Sequence, residues 1–170
     1  EEYDNAGIQT GDPGQEVSRV LVTLDVTKEV VLEAQSLGAE LILSHHPILF
    51  SPISSMNEKE YVPGILASLI RSGISLISAH TNADQSEEFS ASIAVARLLS
   101  LMNVRKEGKY LFIGELDRPA PAGEVQEMIS VRLKGPAFLF GDPGQYIRTL
   151  AVAGGAYSEG WREAMDAGAQ

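Results

Sequence analysis

The strongest constraint on the fold is a regular alternation of short apolar strands with amphipathic helices along the first half of the chain. Apolar and β-branched residues at 18–24, 40–44 and 74–79 predict three buried strands. Between them, apolar residues recur at helical spacing in 27–37 and 61–72, and a glycine directly follows each segment. This order predicts a parallel sheet with right-handed crossovers and helices on both faces.

The second half of the chain continues the alternation. We expect a helix over 86–101, capped by Ser86. Further elements are strands at 110–116, 137–140 and 147–153 and helices at 122–134 and 157–167. Charged residues and glycine cluster at 103–109, which predicts a boundary between an α/β lobe at 1–105 and a second α/β lobe at 106–170. The fold class is therefore α/β, with parallel or mixed sheets and flanking helices.

Charge and cysteine content exclude several classes of function. The net charge is −10, so an acidic surface would repel a phosphate backbone and direct nucleic-acid binding is disfavoured. A local pocket for a phosphorylated metabolite remains open. The chain has no cysteine, so a metal would be held by His, Asp, Glu or water. The lack of cysteine favours a cytoplasmic protein, and no apolar run approaches the roughly 20 residues needed to cross a membrane.

All three histidines of the chain follow predicted strands. His45 and His46 come directly after the second strand, in the motif S-H-H-P, and His80 and Asp84 follow the third strand, in H-T-N-A-D. Because ligands of open parallel sheets bind beyond the carboxyl ends of the strands, the two motifs can converge there. The sequence therefore predicts a metal site formed by His45, His46 and Asp84.

The adjacency of His45 and His46 bears on the number of metal ions. Neighbouring residues of an extended chain point to opposite sides, and Pro47 favours an extended conformation for His46. The pair would then reach two ions, or one ion and an outer partner. Asp84 could bridge two ions, which lie roughly 3.5–4 Å apart in such sites. His80 could be a ligand, an outer hydrogen-bond donor or a proton shuttle.

Structural interpretations of the same residues stay open beside the functional ones. A histidine at a strand end is often simply hydrogen-bonded, and Asp84 could be a loop or capping carboxylate. Asn82 could shape a turn or bind substrate. The stretch from Tyr3 to Gly11 could line a site through Asn5, but its composition favours a plain turn.

Five short motifs carry a resemblance to a known family. They are D-N-A-G-I-Q-T-G at 4–11, S-H-H-P-I-L-F at 44–50, A-H-T-N-A-D at 79–84, I-G-E-L at 113–116 and A-V-A-G-G at 151–155. In this order they resemble the Nif-three-like family, often described as GTP cyclohydrolase 1 type 2. The match covers essentially the whole chain, and S-H-H-P followed by H-T-N-A-D is its most specific part.

The resemblance implies a two-lobed architecture with two divalent metals, which could be zinc, manganese or iron, in a cleft between the lobes. It implies that His45 and His46 bind different ions, that Asp84 bridges them and that His80 is a catalytic residue beside them. The implied function is a metal-dependent hydrolase that opens the imidazole ring of GTP or acts on a related nucleotide. The alternative is a non-catalytic metal-binding scaffold or regulatory interaction protein. The family typically forms ring-like hexamers.

Two departures from the family pattern qualify these expectations. The family places a tryptophan where this chain has Tyr3. It also completes the metal site with a histidine and a glutamate from a later G-H-x-x-x-E motif, and the sequence ends before that motif. We therefore expect about half of the usual ligand set in this chain, with a C-terminal segment missing from it.

Overall fold

The computed structural model describes residues 4–170, so Tyr3 lies outside the described residues. The described chain divides into two compact units, and the boundary between them in the sequence lies between Ala83 and Asp84. Each unit contains its own sheet and its own buried apolar cluster. The mixed architecture of sheets with flanking helices confirms the predicted α/β class.

The sheet of the first unit has four strands. They are β1 (Gly7–Thr10), β2 (Val20–Thr23), β3 (Leu41–Ser44) and β4 (Ser75–Ser78), in the order β1-β4-β3-β2. Strands β2, β3 and β4 run parallel, as the sequence predicts. Strand β1 runs antiparallel to β4, so the prediction of a plain turn in the N-terminal motif is wrong for this segment. The sheet is therefore mixed, with its parallel part nearest to the histidine motifs.

Three helices accompany this sheet: α1 (Lys28–Leu37), α2 (Tyr61–Ser72) and the short α3 (Thr81–Asp84). The predicted helix ends are confirmed at Gly38 and Gly73, which have φ angles of 63° and 65°, in the left-handed region that glycine tolerates. The core of the unit contains Leu69, which is fully buried. Burial of this apolar cluster fixes the sheet under the helices.

Helix α1 begins with a side-chain cap. The Thr27 hydroxyl accepts a hydrogen bond of 3.3 Å from the Val30 N–H. Replacing Thr27 by alanine leaves this N–H without its protein acceptor, so we expect Thr27→Ala to lower the free energy of unfolding by about 1 kcal/mol. Urea denaturation measures the change, and Thr27→Ser, which keeps the hydroxyl, is the control. Equal losses in both variants would show that the threonine methyl, and not the cap, provides the stability.

The second unit has an antiparallel sheet. Its strands are β5 (Met102–Glu107), β6 (Leu111–Pro121) and β7 (Tyr146–Ala153), in the order β5-β6-β7. Its helices are α4 (Ala91–Leu98), α5 (Ala122–Leu133) and α6 (Gly160–Asp166). Among residues 4–170, the parallel pairing predicted from strand–helix alternation is thus found only in the first unit. Long connections between strands do not by themselves decide their direction.

Two expectations about the second unit are wrong in position. The helix predicted over 86–101 begins at Ala91, because the Ser86 hydroxyl accepts bonds from the N–H groups of Glu88 and Phe89 in a turn, and Ser90 is the actual cap. The boundary expected at 103–109 falls on β5, where charged residues occupy the edge of the sheet. Charge clustering there reflects an exposed edge strand and not a linker.

The strand predicted at 137–140 is also absent, since this segment is irregular. Two apolar side chains of the segment face solvent, since Phe138 is 80% and Phe140 is 93% exposed. The apolar pattern in this segment therefore reflects surface residues. Among residues 4–170, no helix has both the length and the apolar character needed to span a membrane.

Candidate metal centre

The two histidine motifs lie at the carboxyl ends of β3 and β4, as predicted. Strand β3 ends at Ser44, and the chain bends at the two following histidines. The N–H of His45 donates to the Thr23 carbonyl at 3.1 Å, and the N–H of His46 donates to the Leu24 carbonyl at 3.0 Å. His80 immediately precedes helix α3 beyond the end of β4. The edge of the parallel sheet thus carries all three imidazoles.

The three imidazole rings converge. Their centroids lie 5.1 Å apart for His45 and His46, 5.2 Å for His45 and His80, and 5.6 Å for His46 and His80. One ring nitrogen from each lies within 4.8 Å of the others. The prediction that His45 and His46 point to opposite sides is therefore wrong, because the chain bends after Ser44 instead of continuing as an extended strand. The number of ions that they bind stays a prediction.

Each imidazole has an oxygen partner at Nδ1. His45 pairs with the Ala79 carbonyl at 2.9 Å, His46 with Asp25 Oδ1 at 2.8 Å, and His80 with Asp4 Oδ1 at 2.7 Å. A carbonyl or carboxylate oxygen only accepts, so a neutral ring that makes this bond has its proton on Nδ1 and its lone pair on Nε2. Histidines that bind metals are oriented by such outer acceptors. The arrangement therefore suits ligation through Nε2.

Asp4 is the more deeply buried of the two carboxylates that pair with the histidines, with 3% of its side chain exposed against 62% for Asp25. Besides His80, it accepts bonds from the Asn5 N–H at 2.8 Å and from the N–H and hydroxyl of Thr81 at 3.2 Å and 2.6 Å. Burial raises the pKa of Asp4, but the bonds from Thr81 and His80 outweigh it and lower the pKa to about 2. Asp4 is therefore an anion at neutral pH.

Two buried serines support the sheet edge below the histidines. The hydroxyls of Ser44 and Ser78 lie 2.8 Å apart, and each residue is only 1% exposed. Ser44 also donates to the backbone carbonyl of His46 at 2.9 Å. These bonds join the ends of β3 and β4 and fix the backbone that carries His46. The histidines are therefore built on a rigid part of the fold.

The N-terminal motif is hydrogen-bonded to the segment that follows S-H-H-P. The Asn5 amide donates to the Leu49 carbonyl at 2.7 Å, and Leu49 N–H donates to Gln9 at 3.1 Å. Asn5 also lines a cavity of about 370 Å³ together with residues 49–53. Asn82 is exposed on α3. The assignment of Asn5 and Asn82 to substrate binding stays a prediction, and the contacts give Asn5 a structural role as well.

Asp84 is the last residue of α3 and the first residue of the second unit. Within the described chain, the set of converging metal-ligating groups consists of the three histidines. The role of Asp84 as a bridging carboxylate therefore stays a prediction. The sequence analysis missed the contacts of Asp4 and Asp25 with the histidines. Asp25 directly follows the first predicted strand, and this placement beside the other strand ends could have indicated its contact with a histidine.

The donor set fits a divalent cation. Imidazole nitrogens are suitable ligands for zinc and iron, and less so for manganese, which prefers oxygen. Two nitrogens that bind one zinc at roughly 2.0–2.1 Å lie at most about 4.2 Å apart. The three ring nitrogens lie within 4.8 Å of one another, so a small side-chain rotation would bring a pair of them within reach of one ion.

Fold and site together define an α/β protein with a histidine-lined candidate metal centre at the edge of a parallel sheet. The model of the Duf34/NIF3 (NGG1p interacting factor 3) family matches residues 1–170, and the chain belongs to that family. The Nif-three-like resemblance is thereby confirmed.

Known relatives agree with this assignment. A GTP cyclohydrolase 1 type 2 homolog from Streptomyces coelicolor is 35% identical over 169 residues, covering 92% of this chain and 59% of the relative. A GTP cyclohydrolase 1 type 2 from Helicobacter pylori is 39% identical over 85 residues, or 50% of this chain and 34% of that protein. The crystal structure of a Staphylococcus aureus hypothetical protein matches with a TM-score of 0.92 and 25% identity, covering 99% of this chain and 70% of that one. The chain thus spans about three-fifths of the Streptomyces relative.

Proposed function

We propose that the protein is a metal-dependent hydrolase acting on a nucleotide or a related phosphorylated heterocycle. The observation that carries the proposal is the convergence of three imidazoles, each with an oxygen acceptor at Nδ1. The names of the Streptomyces and Helicobacter relatives support GTP as the first substrate to test. Because the chain spans 59% of the Streptomyces relative, the activity is proposed for the protein and not transferred to it.

In this proposal His45, His46 and Asp84 are the residues that would hold two divalent ions, the two histidines as ligands of different ions and Asp84 as the carboxylate they would share. Zinc, manganese and iron are the candidate ions. The bound metal would polarise the substrate and lower the pKa of water at the site. The protein has a net charge of −10, so cations at this edge would also offset repulsion of a phosphorylated substrate.

His80 is assigned the proton transfer. Its Nδ1–H is held by Asp4, so Nε2 is the atom that accepts a proton from the attacking water. The Asp4 carboxylate stabilises the positive charge that the ring then acquires. Asn5 and Asn82 are the proposed substrate contacts. The residues of the first unit thus provide a base and its charged partner on one rigid sheet edge.

Incubation of the zinc- or manganese-loaded protein with GTP tests the proposal. We expect release of formate, measured with formate dehydrogenase, and little release from His80→Ala because the proton acceptor is gone. The control is the metal content of His80→Ala, which should match the unmodified protein. Absence of formate with a full complement of metal would contradict GTP as the substrate.

Exposed apolar side chains favour a second candidate, a non-catalytic scaffold that assembles with copies of itself or other partners. Val131, Phe138 and Phe140 of the second unit are 76%, 80% and 93% exposed. Light scattering checks the expected homo-hexamer with and without metal. Metal-dependent assembly without turnover of any nucleotide would favour this scaffold over the hydrolase.

A further inference from the structure

Asp4 and His80 form a buried pair between residues that lie 76 positions apart in the sequence. Only 3% of the Asp4 side chain and 18% of the His80 side chain are exposed. Oδ1 accepts from His80 Nδ1 at 2.7 Å and from the Asn5 N–H at 2.8 Å, and Oδ2 accepts from the N–H and the hydroxyl of Thr81. Both oxygens of Asp4 are therefore held by donors of the chain.

We propose that Asp4 is the positioning residue of His80: it fixes the proton on Nδ1 and presents the Nε2 lone pair to the other two histidines. The reason is that an ionised carboxylate has no proton to donate, so the ring must donate at Nδ1. The lowered pKa of Asp4 keeps it ionised at neutral pH. The role of His80 as proton acceptor rests on the proposed function, whereas the control of its tautomer by Asp4 rests on the hydrogen bond alone.

Thr81 fixes the position of the Asp4 carboxylate that pairs with His80. Because Asp4 also binds the backbone N–H of Thr81, the carboxylate is fixed relative to the start of α3, directly after His80. The other carboxylate partner is different, since Asp25 is 62% and His46 is 47% exposed, and water competes for that bond. We therefore expect Asp4 to control its histidine much more strongly than Asp25 controls His46.

Asp4→Ala tests the proposal because it removes the acceptor at His80 Nδ1. Without that acceptor, the ring proton can move to Nε2, which is the tautomer that a neutral histidine side chain favours in water. We therefore expect the variant to reverse the tautomer of His80. An amide at this position would be less decisive, because each carboxylate oxygen of Asp4 accepts from a backbone N–H, of Asn5 and of Thr81.

The tautomer is measured by long-range proton–nitrogen NMR correlation on the metal-free protein with ¹⁵N-labelled histidine at about pH 8, where imidazole is neutral. We expect Nδ1–H in the unmodified protein and Nε2–H in Asp4→Ala. Two outcomes would overturn the proposal: Nε2–H in the unmodified protein, or an unchanged tautomer in a folded Asp4→Ala. The first of these remains decisive even if the variant does not fold.

Two further variants separate positioning from general stability. Thr81→Val removes one hydrogen bond to Asp4 but leaves the acceptor of His80, so we expect lower stability with an unchanged tautomer. Asp25→Ala is the matched control at His46 and should leave His80 unchanged. Reversal of the His80 tautomer in Thr81→Val would show that Asp4 alone does not set it.

Kinetics then separate this inference from the proposed function. If GTP is turned over, we expect Asp4→Ala to lower kcat roughly 10–100-fold, as loss of a hydrogen-bond partner behind a site residue does, with metal content and KM unchanged. An unchanged kcat alongside a reversed tautomer would overturn the link to proton transfer. Failure of the unmodified protein to turn over GTP would count against the proposed substrate, while the NMR result would still decide the role of Asp4.

Discussion

His45→Ala is expected to lower the affinity of the protein for zinc by at least about 100-fold, equivalent to roughly 2.7 kcal/mol of binding free energy. His45 is only partly exposed, and its Nδ1 is hydrogen-bonded to the Ala79 carbonyl at 2.9 Å. A ring held in this way needs little reordering to bind a metal. Removing a direct ligand should cost at least the upper end of the 10–100-fold loss typical of outer-shell partners. Calorimetric titration of the metal-free protein with zinc measures the loss.

His80→Ala is the matched control, because it removes the same ring from the same cluster. In the proposed function His80 transfers protons and does not bind the metal, so its loss should reduce zinc affinity by no more than about tenfold. Equal losses in the two variants would make His80 a third ligand and remove its assignment as the base. Failure of the unmodified protein to bind zinc at micromolar concentrations would contradict the metal centre itself.

The elements that sequence reasoning located correctly are those with local signals. Strands β2, β3 and β4 are short apolar runs, and helix α1 combines helical spacing with Thr27 before it and Gly38 after it. Such signals act over a few residues and can be read without knowing the fold. Strands β1 and β5 were missed because they are exposed at one edge and rich in polar residues or glycine. Pairing with a distant strand decides their conformation.

The site was predictable to a similar degree. The positions of His45, His46 and His80 followed from their placement after parallel strands. Their oxygen partners did not, because Asp4 lies 76 positions from His80 and Asp25 lies 21 positions from His46. The directions of the His45 and His46 rings were also not predictable, since they depend on a bend directly after β3. Sequence patterns thus locate the metal-binding residues, while tertiary contacts orient them.

The glycines of the N-terminal motif allow a second large effect to be predicted. Gly7 and Gly11 have φ angles of 116° and 113°, a backbone conformation that L side chains rarely adopt. They differ in their surroundings. A Cβ at Gly11 would lie 2.6 Å from the Ser75 Cα, whereas a Cβ at Gly7 would meet no other atom of the described chain within 4 Å. The motif therefore contains one glycine with a conformational requirement and one with a steric requirement as well.

We expect Gly11→Ala to lower the free energy of unfolding by about 2–4 kcal/mol, from roughly 1–2 kcal/mol of backbone strain and a similar cost of overpacking against β4. Gly7→Ala shares the backbone strain and should cost only about 1–2 kcal/mol. Urea denaturation of both variants isolates the steric term as their difference, provided that the slope of the transition is unchanged. Equal losses would show that β1 moves away from Ser75 to accommodate the methyl group. A larger loss for Gly11→Ala would show instead that close packing of β1 on β4 is part of what this motif encodes, beside the Asp4 contact to His80.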